Sequence, residues 1–166
     1  SPISGGAIVV YARKTRVRAK AVVARYRSRE RALQANTFRA WQRFARRAFA
    51  HAVAFRKLLE KVNKDGDRVV GYGAGDRGVT LLNVAGVTPR LISVIADRNT
   101  LKQGYAIGGA KIPIESPEKV MAQHPDTVVL VAWNFAEEIK GYLKEELGYR
   151  GKFIQPLPGM PRLLKS

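Results

Sequence analysis

The chain has 166 residues, 46% of them hydrophobic and 26% charged, which supports one ordinary domain, or one domain with an appendage, and excludes general disorder. It contains no cysteine, so disulfides, thiolate metal sites and a cysteine nucleophile are all excluded. Thirty Lys+Arg against 13 Asp+Glu leave a net charge of +17, which invites a nucleic-acid or acidic-membrane partner.

The excess charge is local. Residues 1–62 carry 16 Lys+Arg and 2 acids, a net +14, while residues 63–166 carry 14 and 11, a net +3. The basicity therefore belongs to the first third of the chain. Ser1-Pro2 in place of an initiating methionine reads as a fragment boundary, and no secretory signal is visible, so a cytoplasmic setting is expected. Gly5 to Ala12 is β-branched and turn-bounded, which predicts a strand over residues 1–12. A basic helical segment is expected over 13–65. Arg13 to Gln34 is rich in Arg and Ala, both good helix formers. Asn36-Thr37 offers a cap, after which Phe38, Trp41, Ala45, Ala48, Ala52, Phe55, Leu59 and Val62 recur at three- and four-residue steps. That spacing puts them on one apolar stripe and points to a core role for Phe38, Trp41 and Phe55. Gly66 ends the helix.

Arg39, Arg43, Arg46 and Arg47 fall largely off the stripe. They make either a polyanion-binding face, for RNA, DNA or an acidic partner, or the solvated face of a connecting helix. His51 and His124 have no second ligand at metal spacing, so no metal is assigned.

Residues 66–166 alternate short apolar strands with helices, which predicts an α/β domain, Rossmann-like, with a mostly parallel sheet flanked by helices. Strands are expected at Arg68–Tyr72, Leu91–Ala96, Lys111–Ile114, Thr127–Ala132 and Lys152–Ile154. Helices are expected at Val79–Val84, after Ser116-Pro117 and at Phe135–Leu147. The longest strongly apolar run, Thr127 to Trp133, is too short to span a bilayer.

The turn after the first strand, Gly71-Tyr72-Gly73-Ala74-Gly75-Asp76-Arg77-Gly78, lies where such folds hold phosphates. Asp97 closes the second strand, where dinucleotide folds place a ribose-binding acid. Read from Gly71, however, the pattern reaches Asp76 where a third glycine belongs, and Gly78 comes two residues late. That reading disfavours a nicotinamide-linked oxidoreductase.

Gly71-Tyr72-Gly73-Ala74 with Gly78-Val79-Thr80-Leu81-Leu82-Asn83 resembles the C-terminal domain of S-adenosylmethionine-dependent sugar C-methyltransferases. The likeness continues through Asp97-Arg98-Asn99, Lys102-Gln103-Gly104, Ile112-Pro113-Ile114, Ala132-Trp133-Asn134, Glu138-Ile139 and Gly151-Lys152-Phe153-Ile154. Gly5-Gly6 and Val10-Tyr11-Ala12 resemble the closing strand of that family's methyltransferase domain. The resemblance implies an enzyme with a zinc-binding N-terminal region, a central cofactor domain and this C-terminal domain. Together they methylate a sugar carbon beside a keto group after a base removes its proton.

This chain has no cysteines for the zinc site, no cofactor-binding glycine motif ahead of Gly5 and no Tyr/His/Glu cluster for proton abstraction. No catalytic residue is assigned. S-adenosylmethionine is implied for the parent enzyme and no cofactor is expected on this chain alone. Gly75-Asp76-Arg77 replaces the more usual Pro-Ala-Lys, so a diphosphate meets a cation at Arg77 and an opposing charge at Asp76. The expected partners are a nucleotide-diphosphate sugar and a cofactor-binding domain or chain. The expected ligand-binding residues are Gly71, Tyr72, Gly73, Ala74, Arg77, Gly78, Asp97, Lys102 and Asn134. Asn134 is also a candidate helix cap, as is Ser116.

Overall fold

A computed structural model describes residues 9–15 and 18–164. The chain falls into two units, Ser1–Ala48 and Phe49–Ser166. In the first, helix α1 (Ala21–Ala32) is shorter than the expected Arg13–Gln34 and buries nothing. Its arginines Arg25, Arg27, Arg29 and Arg31 alternate with Tyr26, Ser28 and Glu30, so no continuous apolar face forms. Of the expected strand over 1–12, residues 1–8 lie outside the described residues. Val9–Ala12 are exposed and carry no strand, having no ladder partner among the described residues.

Helix α2 (Phe38–Lys64) starts as its sequence indicates, with Thr37 Oγ1 accepting the Ala40 N–H at 3.2 Å. The apolar stripe then divides. Phe38 and Trp41 are 77% and 57% exposed, which corrects their expected core role. No described residue of this unit is buried, so the spacing meets no core to enter. Trp41 packs edge-on against Phe44 instead, at 6.2 Å between ring centres. In the second unit the same stripe is core: Ala52, Phe55, Leu59 and Val62 are all buried.

The second unit is built on a six-stranded sheet among the described residues. Its strands are β1 (Val69–Tyr72), β2 (Ile95–Ala96), β3 (Ile114–Glu115), β4 (Thr127–Leu130), β5 (Lys152–Gln155) and β6 (Arg162–Leu164). They lie in the order β3-β2-β1-β4-β5-β6, the first five parallel and β6 antiparallel to β5. The connections hold helices α3 (Asp76–Val84), α4 (Pro117–Met121) and α5 (Ala136–Glu145). This is the expected Rossmann-like architecture. Strand β6 was not expected, because three residues beyond a run of prolines carry no readable period. Helix α3 begins three residues earlier than expected. Ser116 caps α4 by accepting the Lys119 N–H, with Pro117 at the first helical position.

Burial on both faces explains the uninterrupted apolar strands. Val69 and Val129 face a cluster with Phe55 and Leu59 of α2 and Leu82 of α3. Val70, Tyr72, Val128 and Leu130 face another with Val120 of α4 and Ile139 and Leu143 of α5. No helix among the described residues is long and apolar enough to cross a membrane.

The amino edge of the sheet is fastened by Asp67. Its carboxylate accepts from Thr127 Oγ1 at 2.6 Å and from Lys152 Nζ at 2.7 and 2.9 Å, joining the starts of β1, β4 and β5. Burial pushes the Asp67 pKa up, but the hydrogen bonds from Lys152 and Thr127, aided by the charges of Lys152 and Lys61, outweigh it. The carboxyl is held below its usual value.

Two outcomes are expected. Phe55→Ala should cost about 3–5 kcal/mol in urea unfolding, whereas Phe44→Ala should stay within about 0.5 kcal/mol. Because the folded pKa of Asp67 is lowered, its contribution is present above the unfolded pKa and is lost as pH falls through the folded value. Asp67→Asn should therefore flatten the decline of Tm below about pH 4, and an unchanged acid limb would contradict the clamp.

Candidate functional site

Parallel strands bring their carboxyl ends to one edge, and β1 and β4 are neighbours there whose connections leave in opposite directions. Such a switch point opens a crevice. The β1–α3 turn lies along one side of it. Gly73 turns the chain at φ +96°, donating its N–H to Ala96 O at 2.8 Å. A Cβ on Gly73 would come within 2.4 Å of the Ala132 Cβ, so the turn lies directly on the end of β4. Gly75 is the N-cap of α3, with open space where a Cβ would stand. Gly78 presses the first turn of α3 onto β4, where a Cβ would fall 2.3 Å from Val131 Cγ1.

These positions correct the reading of the motif. Strand β1 runs through Gly71 to Tyr72, so the turn starts at Gly73, and Gly73-Ala74-Gly75-Asp76-Arg77-Gly78 is a complete Gly-x-Gly-x-x-Gly. Gly78 is in place as the third glycine, where close helix–strand packing requires it. The glycine pattern of a dinucleotide fold is therefore present in full.

Asp97 stands at the end of β2 and is built into this turn. Its Oδ2 accepts the Ala74 N–H at 2.7 Å, and its Oδ1 accepts the Asn99 N–H at 2.8 Å. Lys102 Nζ donates to Ala74 O at 2.9 Å and lies 3.6 Å from Asp97 Oδ2. Each carboxylate oxygen keeps a second lone pair for a ligand hydroxyl.

A cleft of about 170 Å³ opens beside the turn. Of the expected residues, Tyr72, Gly73 and Asp97 line it, and Arg98, Ala132, Phe135, Glu138, Ile139 and Tyr142 complete it. Gly71, Ala74, Gly78 and Lys102 support the turn from outside the lining. Arg77 is exposed on α3, and Asn134 lines a neighbouring depression with Trp133 and Gln155. Asn134 does not cap α5, whose N-cap is Phe135 without a side-chain bond. The Tyr72 ring meets Tyr142 edge-on at 6.3 Å. Burial, with Tyr142 nearby, pushes the Tyr72 phenol up to about 12, so it keeps its proton at neutral pH.

Sequence reasoning missed Arg98, Phe135, Glu138 and Tyr142. A signal for three of them exists: Phe135, Glu138, Ile139 and Tyr142 are spaced i, i+3, i+4, i+7, which is one helix face. Elsewhere, His51 Nε2 lies 2.7 Å from Pro156 O, and His124 is exposed. Arg39, Arg43, Arg46 and Arg47 are exposed on α2 in the first unit.

Comparison with known proteins decides the family. Residues 2–158 match the model of the C-methyltransferase C-terminal domain. The chain belongs to that family. It is also 36% identical to C-methyltransferase NovU of Streptomyces niveus, over 99% of this chain and 39% of NovU. The chain thus spans about two fifths of that relative's length. Within the C-methyltransferase C-terminal domain, the residues quoted for the resemblance include the turn, Asp97-Arg98 and Glu138, which gather at the carboxyl edge of the sheet. Neither comparison favours a polyanion-binding role for the arginines of α2.

The hydrogen bonds of Asp97 have a measurable consequence. Asp97→Ala leaves the Ala74 N–H without its acceptor and should cost about 1–3 kcal/mol, with faster amide exchange at Ala74 and Asn99. Unchanged exchange at both would show that the turn stands without Asp97.

Proposed function

We propose that this chain is the nucleotide-sugar-binding domain of a sugar C-methyltransferase, and that it positions its ligand for chemistry carried out elsewhere in the enzyme. The observation that carries the reading is the switch-point cleft, which is lined by Gly73 of a complete glycine-rich turn and by Asp97, bonded to that turn at Ala74. Backbone N–H groups opening α3 attract anions. They take the diphosphate, with Arg77 beside them and Gly71, Tyr72, Ala74 and Gly78 shaping the turn. Asp97, steadied by Lys102, accepts a ribose or sugar hydroxyl, and Asn134 lies toward the sugar end.

The methyl donor implied for the whole enzyme, S-adenosylmethionine, carries a sulfonium cation. Arg77, Arg98 and Lys102 around this turn suit an anion and oppose that cation, so we place the methyl donor on a cofactor-binding domain or chain outside residues 1–166. Proton abstraction and methyl transfer belong there too. The site's own contribution is binding and orientation, which hold the reacting carbon where transfer occurs.

A thermal-shift titration tests the reading. A thymidine-diphosphate sugar at about 100 times its Kd should stabilise the chain by about 2.7 kcal/mol. Arg77→Glu should weaken that stabilisation, and a triple Arg43→Glu, Arg46→Glu, Arg47→Glu variant should keep it. No shift at millimolar ligand would remove the ligand from this domain. A shift lost only in the triple variant would move the site to α2.

A further inference from the structure

The cleft contains a cation that the turn does not use. Lys102 holds Ala74 O and lies beside Asp97. Arg98 also lines the cleft, is exposed, and makes no ion pair among the described residues. Its guanidinium carbon lies 5.1 Å from the centre of the Tyr142 ring. A guanidinium within cation–π range of a ring has five N–H donors, and its planar fork suits bidentate recognition of a phosphate or carboxylate.

The ring beneath it is itself fixed. Tyr142 Oη donates to Glu118 Oε1 at 3.0 Å, tying α5 to α4. Glu118 is held below its usual pKa, first by its own backbone N–H and then by the Tyr142 hydroxyl, so it remains an acceptor at neutral pH. Tyr142 also meets the buried Tyr72 of β1 edge-on. Three elements thus set the place of one ring, and that ring sets the place of one cation.

The geometry points to Arg98 as a diphosphate-binding residue of the nucleotide-sugar site, held over the cleft by Tyr142 as a positioning residue. This rests on the nucleotide-sugar reading above and adds a second cation to it, on the side of the turn away from Arg77's helix. Arg98 contributes the planar fork that distinguishes a diphosphate from an uncharged group. Tyr142 acts through Arg98.

Titration calorimetry of the chain with thymidine diphosphate tests the assignment. Arg98→Ala should weaken binding about 10–100-fold, with Tm unchanged because the side chain is exposed. Arg98→Lys should recover only part of the loss, since an ammonium lacks the fork. Tyr142→Leu, which removes the ring, should approach the Arg98→Ala value. Tyr142→Phe, which keeps the ring and loses the Glu118 bond, should lose less. If the unaltered chain binds thymidine diphosphate and Arg98→Ala binds it equally well, the assignment fails and the nucleotide-sugar reading stands. Losses in Arg98→Ala and Arg98→Lys that follow a falling Tm mark a merely structural residue, which also overturns it. An unaltered chain that binds neither thymidine diphosphate nor its sugar overturns both readings.

Discussion

The contact of two glycines with the end of β4 sets the carboxyl edge of this domain. Gly73 lies against Ala132 and Gly78 against Val131, each so close that a Cβ would collide. Side chains at either place would lift α3 off the sheet and part the turn from β4. With the glycines present, the turn sits low enough for Asp97 to reach the Ala74 N–H from the next strand. The residues of β1, β2, β4 and α5 then surround one cleft. The opposite edge has a different construction, in which Asp67, Thr127 and Lys152 close the strand starts with part-buried hydrogen bonds. One edge is fastened by side chains; the other is left open by glycine.

Much of the fold was legible because its signals are local. A short run such as Val128–Leu130, apolar on both faces, between turn signals reads as a strand covered on each side, and Ser116-Pro117 marks a helix start by its own chemistry. What misled was register and context. Gly71-Tyr72-Gly73 has the form of a motif start by itself, although Gly71 and Tyr72 belong to the strand that the sequence already ends at Tyr72. Strand pairing with β2 and β4 carries the strand to Tyr72 and moves the motif by two residues. The apolar stripe of α2 was read as one face along its whole length. Period gives a face but not a partner, and only the half from Ala52 onward is buried. The cleft needed tertiary contacts from the start, since Arg98 and Tyr142 are 44 residues apart and meet across two elements.

Partitioned along the chain, the net charge of +17 loses its force as a label for the whole molecule. Most of it lies on residues 1–62, in a region whose described arginines face solvent as far as Arg47. At the proposed site only a few cations matter, and they differ in role. Lys102 steadies Asp97 and the turn, whereas Arg98 lies over the Tyr142 ring and is exposed at the cleft. Electrostatics there depends on placement more than on total charge. Membership of the C-methyltransferase C-terminal domain family fits this arrangement: the chain corresponds to 39% of NovU, and its own site is one of binding and orientation on the proposed reading.

The central claim is that the ligand occupies the carboxyl edge of the sheet at the β1–β4 switch point. Backbone amide NMR of the labelled chain, titrated with a thymidine-diphosphate sugar, tests it most directly. The account predicts the largest shifts at Gly73 to Gly78, at Asp97 and Arg98, and on the Phe135–Tyr142 face of α5. Shifts absent from that edge, or concentrated at Arg39 to Arg47 of α2, would contradict it.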